Sequence, residues 1–237
     1  GEHDYDNHRD LMGGTIFIAM SSGENNYQIT KITKPNNLWH HGALADFNSD
    51  GALDIITVGG SAPNNFNLKS AYVFFNIGNG EFSSAKTINV PKTVTAYAIA
   101  ASDMFGDGRP EIVIASTARK KGEKSIVSIF NGSKLIERYR LKNNSTWTIP
   151  DIVIADVNSD GEKDIVLIQA SYNLGLNNKD DKLTALIVKG GKISSEKVIF
   201  DGKKSKFPGQ ALFGRTVSCD NSVFILNRNQ SRYWRVH

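Results

Sequence analysis

Two stretches constrain this chain more than any other. Asp46-Phe47-Asn48-Ser49-Asp50-Gly51-Ala52-Leu53-Asp54 runs directly into Ile55-Ile56-Thr57-Val58. Asp156-Val157-Asn158-Ser159-Asp160-Gly161-Glu162-Lys163-Asp164 runs into Ile165-Val166-Leu167-Ile168. Each joins a dense set of side-chain oxygens to an apolar run of strand character. A relative stands at Asp103-Met104-Phe105-Gly106-Asp107-Gly108-Arg109-Pro110-Glu111, followed by Ile112-Val113-Ile114. A degenerate copy opens the chain over Glu2-His3-Asp4-Tyr5-Asp6-Asn7-His8-Arg9-Asp10. Numbered one to four in chain order, the loops begin at residues 2, 46, 103 and 156, a spacing of 44, 57 and 53 residues. That spacing suits four short strands per repeat better than the shorter period of a helical solenoid.

The sequence between the loops agrees. After each complete loop and its β-branched run comes a second strand: Tyr72-Val73-Phe74-Phe75, Ile126-Val127-Ser128-Ile129-Phe130, and Leu183 to Val188. Turn signals follow at Gly78-Asn79-Gly80, Asn131-Gly132 and Gly190-Gly191. A third strand returns, as in Lys86 to Val90. A fourth leads into the next loop through Ala43-Leu44-Ala45, Ala98 to Ala101, and Val153-Ile154-Ala155. No helical periodicity is present. The fold class expected is all-β, a β-propeller with four-stranded antiparallel blades punctuated by the loops. One domain over 1–237 holds about four to five blades, with repeats near 1–38, 39–93, 94–146, 147–201 and 202–237. The first and last repeats are short of a strand. Either the two ends complete one another, or the chain belongs to a larger or inter-chain-completed propeller.

The loop chemistry points to calcium, two to four structural ions. Calcium takes six to eight oxygens in a flexible shell. Loop two offers Asp46, Asn48, Asp50, the Ala52 carbonyl and Asp54. Loop four offers Asp156, Asn158, Asp160, the Glu162 carbonyl and Asp164. Loop three offers Asp103, Asp107, the Arg109 carbonyl and Glu111, having lost one ligand to Phe105; loop one offers Glu2, Asp4, Asp6 and Asp10. Glycine at position six permits the positive φ of a tight turn. No His or Cys occupies a ligand position, which argues against zinc or copper. An EF-hand would need its closing acid at position twelve, where Thr57 and Leu167 stand. A dockerin-like repeat would put a helix where this chain has β-branched runs.

These loops resemble the calcium-binding propeller repeats of the FG-GAP and VCBS type, also found in the heads of integrin α chains. The segment Val73-Phe74-Phe75-Asn76-Ile77-Gly78-Asn79-Gly80-Glu81-Phe82 is similar to the strand–turn unit of VCBS repeats. The resemblance covers about Glu2 to Phe200. It implies a calcium-loaded propeller that is secreted, periplasmic or on the cell surface and serves adhesion or ligand binding. Family members often have seven blades. The literal Phe-Gly and Gly-Ala-Pro signatures are absent at the family's usual spacing.

Charge and composition narrow the partners. The acids counted as side-chain ligands in the four loops are 13 of the 24, Glu162 being called on for its carbonyl, so metal-loaded loops would leave 28 Lys and Arg facing 11 acids. Such a surface favours an acidic protein or glycan ligand. Basic runs such as Arg119-Lys120-Lys121 lack interleaved aromatics, so nucleic acid is not expected. No apolar run is long enough for membrane insertion. The single Cys219 excludes a disulfide framework. Trp39, Tyr97 and Trp147 stand near the start of loop-leading strands, with His40 beside the first. Grouped on one face they would suit a sugar, although large aromatics more often serve packing. The pair His40-His41 has no identifiable catalytic partner in the sequence. Inserts at Ser61 to Lys69, Thr117 to Lys124 and Ser171 to Lys182 are expected to form a crown of loops on one face. No nucleophile elbow, phosphate loop or dinucleotide fingerprint occurs. The leading expectation is a non-catalytic binding module. The alternatives are a polysaccharide lyase or hydrolase on a propeller scaffold, and a subunit of a surface assembly with further chains or domains.

Overall fold

The structure, a computed structural model, describes residues 16–32, 37–61, 70–90, 94–118, 122–142, 147–171, 182–201, 214–219, 222–227 and 233–236. These are strands and their connections. Three four-stranded antiparallel sheets make up the centre. Sheet I orders β3 (Asn37–Ala45), β4 (Asp54–Ser61), β5 (Ser70–Phe74) and β8 (Lys86–Asn89). Sheet II orders β9 (Val94–Ser102), β10 (Glu111–Ala118), β11 (Ile126–Asn131) and β12 (Lys134–Arg140). Sheet III orders β13 (Trp147–Ala155), β14 (Asp164–Ser171), β15 (Lys182–Lys189) and β16 (Lys192–Asp201). A three-stranded sheet IV follows, formed by β17 (Gly214–Cys219), β18 (Ser222–Asn227) and β19 (Tyr233–Val236). A hairpin of β1 (Phe17–Gly23) and β2 (Asn26–Lys31) precedes sheet I, and a smaller one, β6 (Asn76–Gly78) with β7 (Glu81–Phe82), interrupts it. The first strands of sheets I to IV lie side by side in chain order, β3 against β9, β9 against β13, β13 against β17. Consecutive up-and-down sheets with adjoining first strands are the blades of a β-propeller.

The apolar runs are continuous because both faces of each central strand are covered. In β10, Ile112 and Ile114 join a core with Ile56, Val58, Val73 and Ile88 of sheet I. The alternate residues Val113 and Ala115 join a second core with Ile152, Ile154, Ile165 and Leu167 of sheet III. β14 repeats the division: Ile165 and Leu167 face sheet II, while Val166 and Ile168 belong to a third cluster with Leu183. Side chains of period two thus knit sheet II to the sheet before and the sheet after it.

Counted onward from each loop the loop-leading strand comes fourth, while the repeat bounds 39–93, 94–146 and 147–201 open on it. The ladders place that strand first in its sheet. Ala45 pairs with Asp54, Ser102 with Glu111, and Ala155 with Asp164. Each loop is the hairpin connection between the first and second strands of one sheet. It therefore lies inside a blade. The physical reason is local: a tight turn between two strands places them antiparallel and adjacent.

The three first strands share a second feature. Each shifts register near its N-terminal half: between Trp39 and His41, between Ala96 and Ala98, and between Thr148 and Asp151. Bulges of this kind re-aim side chains and sharpen the local twist. They lie toward the end of the strands opposite the acidic loops.

Candidate functional site

Loops two and four adopt one conformation. Asp46 accepts from the backbone N–H of Asp50 at 3.0 Å through Oδ1 and from Gly51 at 2.9 Å through Oδ2. Asn48 Oδ1 accepts from Asp50 N–H at 3.2 Å, and Asp50 Oδ1 accepts from Ala52 N–H at 2.8 Å. In loop four, Asp156, Asn158 and Asp160 make the same bonds to Asp160, Gly161 and Glu162. The fourth position is left-handed in both, with φ of 61° at Ser49 and 60° at Ser159, and the sixth at 88° for Gly51 and 89° for Gly161. Loop three meets the same demand with Gly106 and Gly108. Reasoning from sequence assigned a positive φ to position six alone. Position four shares it, and serine hid the signal because serine seldom adopts that region.

The ninth-position acids are the most deeply placed. Asp54, Glu111 and Asp164 are each 0% exposed. Asp54 accepts from Phe47 N–H at 3.0 Å and, across the sheet, from Asn76 N–H at 2.8 Å. Asp164 accepts from Val157 N–H at 3.2 Å and Val188 N–H at 2.9 Å. Glu111 accepts from Met104 N–H at 2.9 Å and from the Asn131 amide at 3.1 Å. Each therefore braces its loop to the third strand of the sheet or to the segment just after it. Burial pushes the Asp164 carboxyl above its ordinary value against the two N–H donors, and Asp160 and Asp156 add like charge. Glu111 is raised the same way by burial, with Asp107 and Asp103 adding to it. At Asp103 burial is outweighed by the N–H groups of Gly108, Gly106 and Asp107 and by the charge of Lys163, and its carboxyl sits below the usual range.

The donor set of loops two and four is entirely oxygen, and its negative charges crowd one another. By chemistry it fits a hard divalent cation. By geometry, among the described residues, no three His, Cys, Asp or Glu side chains converge on one point that could hold a metal. Their oxygens are turned to backbone N–H groups, and the Asn48 amide donates to Asp50 Oδ2 at 2.8 Å. Loop one, with Glu2, Asp4, Asp6 and Asp10, lies outside the described residues, as does most of the expected crown of inserts.

Trp39, His40, Tyr97 and Trp147 fall on β3, β9 and β13, at or next to the bulged positions of the adjoining first strands. The structure also supplies the partner that the sequence could not name for His41. His41 Nε2 stands 3.0 Å from Asp151 Oδ1, and its Nδ1 accepts from Ile99 N–H at 3.3 Å. One imidazole thus ties the first strands of sheets I, II and III. Both ring nitrogens are engaged, which suits a structural joint better than a proton-transfer group.

The loop-bearing face carries a cavity of about 280 Å³ between sheets I and II, lined by Phe47, Asn48, Ser49, Arg109, Pro110, Asn131 and Gly132. On the other side of sheet II, Phe105 lies against Gly191, its Cε1 3.6 Å from where a Cβ would stand on that glycine. Lys163 Nζ reaches back to Ser102 Oγ at 2.9 Å across the same junction.

With this geometry in view, the comparisons can be placed. Residues 46–114 match the model of the FG-GAP-like repeat. Over that stretch the chain is similar to an FG-GAP-like repeat. The match spans loop two through the strand after loop three. No curated protein sequence matches the chain. Solved propellers resemble it in fold. A GH43 β-1,3-galactosidase with galactodeoxynojirimycin superposes with a TM-score of 0.56 at 9% identity, covering 92% of this chain and 80% of its own. An exo-β-1,3-galactanase from Phanerochaete chrysosporium with β-1,3-galactotriose gives 0.55 at 12% identity, covering 93% of this chain and 51% of its own. The Dos1 propeller gives 0.51 at 14% identity, covering 89% and 48%. The chain spans about half the length of the last two. Identities this low speak to the fold alone.

Proposed function

We propose that this chain is a calcium-stabilised β-propeller binding module of an extracytoplasmic protein, which recognises a glycan or protein ligand without chemistry. The observation that carries the reading is the twin geometry of loops two and four. Two loops more than a hundred residues apart hold identical oxygen sets in identical turns on one face of the propeller. Asp46, Asn48, Asp50, the Ala52 carbonyl and Asp54 would hold one ion, and Asp156, Asn158, Asp160, the Glu162 carbonyl and Asp164 another. The bound cation would offset the crowded carboxylates. Loop three, with Asp103, Asp107, the Arg109 carbonyl and Glu111, offers fewer ligands.

Glycan is the better supported ligand class. Two propellers of similar fold are glycan-active proteins by description, the galactosidase and the galactanase above. The same observation keeps a second reading in view, a lyase or hydrolase on this scaffold. Against it, the one His–carboxylate pair among the described residues, His41 with Asp151, has both ring nitrogens occupied. An array of neutral and acidic glycans, probed in calcium and again after chelation, tests the reading. Calcium-dependent retention without product release is expected. Release of unsaturated or reducing ends would replace it with the enzymatic reading, and no retention of any glycan would remove the ligand class.

A further inference from the structure

We infer that the groove between sheets I and II, on the loop-bearing face, is a subsite for one acidic sugar ring whose carboxylate pairs with Arg109. The inference rests on the glycan-binding reading above and adds to it a place and a chemistry.

Loop three departs from the pattern of its neighbours. At the third position, loops two and four have Asn48 and Asn158, whereas loop three has Phe105. As a metal ligand Phe105 is a loss. As a packing residue it has a clear place. It projects from sheet II onto the Gly190-Gly191 turn between the third and fourth strands of sheet III. The equivalent turn in sheet II is Asn131 to Lys134, and the equivalent loop residue in sheet I is Asn48. There a short amide takes the place of a phenyl ring, and a cavity of about 280 Å³ remains, bordered by Asn48 on one side and by Asn131 and Gly132 on the other. A phenyl ring thus lies over the turn between sheets II and III, and an amide borders the groove between sheets I and II.

The lining of the groove selects the ligand. Ligand pockets commonly run from about 300 to 1,000 Å³, so this one admits a single ring rather than an extended peptide. The lining is mostly polar, and Phe47 borders it while its ring packs toward Phe75. Ser49 offers a hydroxyl. Asn131 spends its amide N–H on Glu111 and keeps its Oδ1 for a ligand. Arg109 is exposed and, among the described residues, its guanidinium has no hydrogen-bond or ion-pair partner. A planar guanidinium matches a carboxylate with two parallel bonds. Amides and a hydroxyl match ring hydroxyl groups better than they match an apolar peptide side chain. The Arg109 side chain is also independent of the proposed cation, for which only its backbone carbonyl is called upon.

The full chain, in millimolar calcium, would be titrated with a galacturonate trisaccharide and with the neutral galactose trisaccharide, following heat and amide chemical shifts. Wild type is expected to bind the acidic trimer more tightly. R109A should weaken that binding about tenfold or more, and R109K should recover part of it, since one charged bidentate contact is at stake. N48F should fill the groove and abolish binding; because Asn48 is also a proposed calcium ligand, its folding is compared with wild type in chelator, where no ion is lost by the change. Acidic-trimer binding within about twofold of wild type in both R109A and N48F would overturn the subsite while leaving glycan recognition elsewhere intact. Equal affinity for the neutral trimer would overturn the role of Arg109. Binding of an acidic peptide through Arg109 with no glycan binding at all would overturn both this inference and the reading beneath it.

Discussion

His41 of β3 and Asp151 of β13 meet at 3.0 Å although neither strand is the other's neighbour. The imidazole crosses the intervening strand β9 and takes the Ile99 N–H on the way. Asp151 is 5% exposed, so its charge leans on few solvent contacts. Removing the imidazole leaves a buried carboxylate short of a donor. His41→Ala is therefore expected to cost about 1–3 kcal/mol, read as a lower midpoint in chemical denaturation. His41→Ala combined with Asp151→Asn should recover part of the loss, because the second change removes the charge that had faced the imidazole, the Ile152 N–H bond remaining. A double variant as weak as the sum of the singles would show that the pair is not coupled.

Calcium should act through mass action. A cation that binds only the folded state stabilises by about 2.7 kcal/mol per site at a hundred times its dissociation constant. Two regular loops thus predict a calorimetric melting temperature that rises with added calcium and falls on chelation. Asp46→Ala and Asp156→Ala should each remove about half of the response. Indistinguishable melting of chelated and calcium-loaded wild type would rule out the structural role of the ion.

The ninth-position acids predict how the chelated protein responds to pH. Glu111 has its folded-state carboxyl raised above the ordinary Glu value by burial and by Asp107 and Asp103. A raised acid contributes stability that is complete below the unfolded pKa and disappears as pH climbs through the folded one. Mild acidification from neutrality should therefore strengthen the metal-free fold until Asp103, whose carboxyl is lowered, begins to protonate and reverses the trend. Glu111→Gln should flatten the rising limb. Denaturation midpoints in chelator from pH 7 down to about 4 measure this, and an unchanged slope in Glu111→Gln would contradict it.

Much of the fold was legible in the sequence because its signals are local. The runs Ile112-Val113-Ile114 and Ile165-Val166-Leu167-Ile168 announce strands covered on both faces, and they are so covered. The acidic loops announced themselves by composition and spacing. What escaped depends on pairing rather than on pattern. That a loop sits within a sheet follows from Ala45 facing Asp54, which no residue type declares. Asp151 lies 110 positions from His41 and looks like any polar residue in a strand. Phe105 read as a missing ligand, since its packing partner Gly191 comes from another blade. The groove lies on the loop face, bordered by loop residues Asn48 and Arg109.

The placement of each loop between the first two strands of a single sheet decides how the molecule would fail. Blade order is held by the apolar cores between sheets, by His41 across three strands, and by the Glu137–Ile193 and Glu196–Lys142 bonds between sheets II and III. Most of these contacts lie outside the acidic loops, which add Met104 to the core between sheets II and III and the Lys163–Ser102 bond. Starved of its cation, such a propeller would fray one hairpin at a time along a single rim, with its blades still stacked. Restoring the ion would mend it in place, with no reassembly.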